Sequence, residues 1–78
     1  MKKEITIGDK KFIVRELLAI EVDDINWDDR KEAIKKQVML STGINEQEYN
    51  SLTMKERLHL INTINEINGL QDFQRPIN

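Results

Sequence analysis

The chain has 78 residues, with 12 basic against 14 acidic side chains and a formal net charge of −2. That length holds one domain, read here as residues 1–78, and a slightly acidic balance of interspersed charges argues against a general phosphate-backbone binder. With no cysteine and a single histidine, His59, disulfides, thiolate metal sites and imidazole-rich metal sites are excluded.

A chain this short buries only about 60–65% of its unfolded surface, so its stability is expected to be marginal and partner binding is the remaining aid. The apolar residues are mostly isoleucine and leucine, which argues against disorder. No apolar run approaches the roughly 18–20 residues of a membrane span. The first lysines lead into "EITIGDKK" and not into an apolar segment, so the expectation is a soluble cytoplasmic protein that is not secreted.

In chain order, "KEITIGDKKFIV" reads as two short strands, a hairpin over residues 1–15. Ile5 and Ile7 fall on one face, and Phe12 and Val14 repeat the alternation after Gly8-Asp9-Lys10. A lone hairpin is barely stable in water, so it must lie on helices or pair with another chain. Residues 16–70 read as helical. Arg15 to Asn26 is expected as a first short helix, with Leu18, Val22 and Ile25 in a stripe widened by Leu17 and Ile20. The hydrophobic period changes from two to 3.6 at Val14.

The next helix is expected to be capped by Asn26 or Asp28 and stopped by Gly43. Ile34, Val38 and Trp27 share its apolar face beside Ala33. Asn45 with Glu48 forms a capping-box pattern for a short helix ending near Ser51, with Ile44 and Tyr49 as a hydrophobic staple.

The last helix has the strongest signals. Thr53 and Glu56 make a capping box, and Gly69 stops the helix. Met54, Leu58, Leu60, Ile61, Ile64 and Ile67 cover about half its circumference, while Lys55, Glu56, His59, Asn62, Thr63 and Glu66 fill the other half. So wide an apolar surface either centres the core or also faces a partner. Residues 71–78 form a tail that Pro76 keeps from continuing the helix smoothly. The resulting fold class is α+β, mainly α: an N-terminal β-hairpin followed by three to four short helices.

Candidate chemistry is sparse. Glu21, Asp23, Asp24, Asp28 and Asp29 lack the alternating calcium-loop pattern and read as helix caps and solvated surface. His59, on the polar face of its helix, reads as a surface histidine without a nucleophile. "GDKK" lacks the spacing of a phosphate loop, and the basic strip "KEAIKK" has only Trp27 nearby, which reads as core. No enzyme activity, cofactor, metal or nucleic acid is therefore expected. The surplus apolar residues at the chain's end, Leu60, Ile64, Ile67, Leu70 and Phe73, are the candidate partner-binding set.

Two stretches resemble a known family. "ITIGDKKFIVREL" is similar to the opening of small phage tail assembly chaperones, with strand, glycine turn, strand and a "V-x-E-L" entry into a helix. The pattern "L-T-x-x-E-x-L-x-L-I-x-x-I-N-E-I-N-G-L", Leu52 to Leu70, followed by Asp72-Phe73, resembles that family's C-terminal helix. The resemblance implies a non-catalytic viral (phage or prophage) tail assembly chaperone in the host cytoplasm. Such a protein binds the long helical tape-measure protein and assists tail-tube subunits in assembling around it. Self-association as a homo-oligomer is compatible with that role. The alternatives are another small viral structural or scaffolding protein acting by self-assembly, and a nucleic-acid-binding regulator, which the acidic balance disfavours.

Overall fold

A computed structural model describes residues 2–69. Two strands precede four helices among the described residues: β1 (Lys2–Ile7), β2 (Lys10–Arg15), α1 (Ala19–Asp23), α2 (Arg30–Thr42), α3 (Glu46–Asn50) and α4 (Met54–Ile67). The architecture is α+β and mainly helical, as the sequence pattern indicates.

The strands pair antiparallel with Ile5 opposite Phe12 and Lys3 opposite Val14. Gly8 has φ +61° and no non-glycine residue among those described has a positive φ, so only the first loop position leaves the usual region, as in a type II′ turn. The alternation then sends Ile5, Ile7, Phe12 and Val14 to one side, where they meet Val38 of α2 and Leu60 and Ile64 of α4. Val14, Val38, Leu60 and Ile64 are fully enclosed. Ile44, Tyr49 and Leu52 close the core from the α3 side, consistent with the staple pattern.

Lysines fix α4 along the hairpin. Lys10, at the turn end, pairs with Glu56 at 3.3 Å, and Lys3, at the other end, pairs with Glu66 at 3.2 Å. Ten helical residues advance about 15 Å, close to the roughly 14 Å that separates these two lysines along the ladder. The helix therefore runs beside the hairpin in the direction of β2. Both pairs are partly solvated and add orientation more than stability.

The first helix is much shorter than its periodicity suggests, covering Ala19–Asp23 instead of Arg15 to Asn26. The start is lost because Arg15 still belongs to β2, opposite Lys2, and tertiary hydrogen bonds hold the following residues extended. The Ser41 hydroxyl donates to the Arg15 carbonyl at 2.6 Å, and the Leu17 N–H donates to Asn68 Oδ1 at 2.8 Å. The stripe dissolves accordingly, since Leu18 and Ile20 are exposed and only Ile25 is buried.

The acidic stretch acts mainly through caps and one ion pair. Asp29, not Asn26 or Asp28, caps α2 by accepting from the Glu32 N–H at 3.2 Å. Glu21 accepts two bonds from the Arg15 guanidinium, at 3.0 and 2.8 Å, and one from the Leu18 N–H at 2.8 Å. The Arg15 hydrogen bond, followed by that backbone bond, lowers the Glu21 carboxyl to about 2.

The caps of the later helices follow the sequence closely. Asn45 and Glu48 form a reciprocal capping box on α3, and Thr53 and Glu56 form another on α4. Gly43, at φ +75°, ends α2 in the left-handed conformation and donates its N–H to the Met39 carbonyl at 2.8 Å.

Candidate protein-binding groove

The candidate partner-binding set divides in the folded chain. Leu60 and Ile64 have no exposed surface, because the hairpin covers the stripe of α4 that carries them. They hold the fold together and present nothing to a partner. Ile67 is half-buried against the same core. Leu70 and Phe73 lie outside the described residues.

A different apolar stripe of α4 is open. Met54, Leu58 and Ile61 recur at i, i+4 and i+7; Met54 is 72% and Leu58 55% exposed, while Ile61 is half-buried against the core. At 100° per residue this stripe lies about a third of a turn from the one centred on Leu60 and Ile64. The wide apolar half of the helix is thus two stripes, one spent on the core and one on a groove.

The groove has a volume of about 480 Å³ and runs between α4 and the N-terminal half of α2. Ala33 and Ile34 form the α2 wall, and Gln37 and Asn65, both buried, line it with them. Trp27, expected in the core, instead stands at the groove's edge with 54% of its surface exposed. It precedes the first turn of α2, so it cannot continue the helical face of Ile34 and Val38. Its indole N–H donates to the Val22 carbonyl at 3.2 Å, which fixes the ring against the end of α1.

Two arginines complete the lining, Arg30 at the start of α2 and Arg57 in the first turns of α4. Among the described residues no carboxylate lines the groove. Of the three arginines among the described residues, Arg15 is engaged by Glu21, while Arg30 and Arg57 make no ion pair with a described carboxylate. Arg57 reaches the Met54 sulfur at 3.4 Å.

Trp27 and the arginines were missed because the helical wheel of each segment shows neither the turn that expels Trp27 nor the approach of α2 to α4. The available signal was the excess width of the α4 stripe.

Other apolar residues are also exposed: Ile13 on the hairpin, and Leu18 and Ile20 at the start of α1. A separate hollow of about 410 Å³ beside Met39, Leu40 and Ile44 is lined by Lys35, which forms an ion pair with Glu46 at 2.8 Å. His59 is exposed, and Thr63, expected on the polar face, is buried with its hydroxyl donating to the His59 carbonyl at 3.0 Å. That internal bond is what lets a threonine sit inside.

Among the described residues no helix is long and apolar enough to cross a membrane. The chain matches no family model, no curated protein and no solved structure.

Proposed function

We propose that this chain is a non-catalytic tail assembly chaperone of a phage or prophage, acting in the host cytoplasm. It binds the tape-measure protein and assists tail-tube subunits to assemble around it. The observation that supports this reading is the apolar groove in which exposed Met54 and Leu58, with Ile61 at its floor, face Trp27, on a chain of which 33% of the residues are charged. Reversible masking of an aggregation-prone helix calls for such a surface and for no reactive group. The resemblance of "ITIGDKKFIVREL" and of Leu52 to Leu70 to the family supplies the biological setting.

Co-expression with the tape-measure product of the same genome tests it. That product is expected to stay in the soluble fraction with this chain and to precipitate without it. The double variant Met54→Gln/Leu58→Gln is expected to fold and to lose the effect. If the product is equally insoluble in both cultures, the reading fails.

Exposed Ile13, Leu18 and Ile20 favour one second reading, a small viral scaffolding protein that self-associates through the hairpin side. Sedimentation equilibrium separates the two. Self-assembly predicts a concentration-dependent mass that Ile13→Lys/Ile20→Lys abolishes.

A further inference from the structure

We propose that the groove between α2 and α4 takes a partner α-helix whose apolar anchors are flanked by carboxylates, with Arg30 and Arg57 reading the acids. The inference rests on the chaperone reading for its biological context and deepens it by giving the chemistry of the bound segment.

Three observations carry the inference. Met54 and Leu58 are more than half exposed on a helical stripe whose floor is Ile61, half-buried against the core, and Ile34 and Trp27 supply the opposing wall. A third helix laid between two others completes the usual layered packing, its own i, i+4, i+7 side chains entering the gap. From Met54 to Asn65 the groove extends about 16 Å along the helix axis, room for roughly three turns of an incoming helix.

Its charge is also one-sided. The chain is net acidic, and no described acid lines this groove, while both arginines not paired within the described fold do. A guanidinium offers a fork of donors that matches a carboxylate, so each can clamp an acidic residue beside the apolar anchors. Finally, Trp27 is held by its bond to Val22 and offers a large, rigid contact at little ordering cost. A basic amphipathic helix meets repulsion in the same place, and a neutral one leaves both arginines unused.

The chain's only tryptophan lies in this groove, so its fluorescence reports occupancy directly. The probe is a display library of 18-residue designed helices with fixed apolar anchors and flanking positions varied among Glu, Gln and Lys. The full chain is the bait. Retained peptides are expected to be enriched in Glu, to shift Trp27 emission to the blue, and to bind at least tenfold more tightly than their Gln counterparts at low salt. Arg30→Glu/Arg57→Glu is expected to reverse the enrichment towards Lys, a readout that a merely unfolded variant cannot give.

Retention of no peptide, enrichment without charge bias, or binding that leaves Trp27 unchanged overturns the proposal. So does a dimer in sedimentation that Leu58→Gln dissociates, since a second copy would then be the occupant. Tape-measure solubility is scored separately. The chain can keep that product soluble while the library shows no acidic preference, in which case the groove assignment falls and the chaperone reading stands.

Discussion

The two apolar stripes of α4 have nearly the same composition and opposite fates. Leu60 and Ile64 are sealed beneath the hairpin, while Met54 and Leu58, on the same helix, are more than half exposed. Hydrophobicity does not distinguish them. The difference lies in what each stripe faces: the inward side of β1 and β2 in one case, and the gap left before α2 in the other. The spacing of apolar residues reveals that a helix has an apolar side, but not how much of that side the rest of the chain can cover.

The largest test of this contrast is Leu60→Ala. Truncating a fully enclosed leucine costs about 2–5 kcal/mol, enough to unfold much of a small domain. Urea denaturation followed by circular dichroism is expected to show a collapsed midpoint or no folded baseline.

Ser41→Ala probes the joint that aligns the hairpin with α2. Removing the hydroxyl that serves the Arg15 carbonyl is expected to cost about 1–2 kcal/mol in the same assay. Thr53→Ala removes the side-chain cap of α4 and is expected to cost about 1 kcal/mol, with the loss concentrated in amide protection of the first turn.

Acid sharpens the comparison in another way. Because the folded Glu21 carboxyl sits at about 2, below the ordinary 4.5, its contribution is complete above the ordinary value and disappears as pH falls towards 2. Glu46, lowered beside Lys35, and Glu56, lowered first by the Thr53 N–H, act in the same sense. The urea midpoint is therefore expected to drop between about pH 5 and about pH 2.5, and to drop less steeply in Glu21→Gln.

The smallest effect belongs to the open stripe. Leu58→Gln is expected to shift stability by no more than about 0.5 kcal/mol while weakening binding in the groove. A loss comparable to that of Leu60→Ala would mean that Leu58 is covered in solution.

Local signals carried much of the fold. The inward alternation of the hairpin, the two capping boxes and the Gly43 stop all depend on nearby residues along the chain, so the sequence states them directly. Failures occurred where distant groups compete. Arg15 to Leu17 lie in a stretch of helical periodicity, yet Arg15 stays in the strand opposite Lys2, and Ser41 and Asn68 take the Arg15 carbonyl and the Leu17 N–H into other bonds. Trp27 looks like core until Asp29 is seen to begin the helix two residues later.

By itself, then, the sequence determined the elements, the caps of α3 and α4, the Gly43 stop of α2 and the presence of more apolar surface than a short helix needs, because these follow from local sterics and capping. Which leucine is enclosed, where Trp27 stands and how Arg30 comes to lie across from Arg57 were decided only in the tertiary structure. Burial depends on how the hairpin and α2 pack on α4, and no window along the chain contains all three.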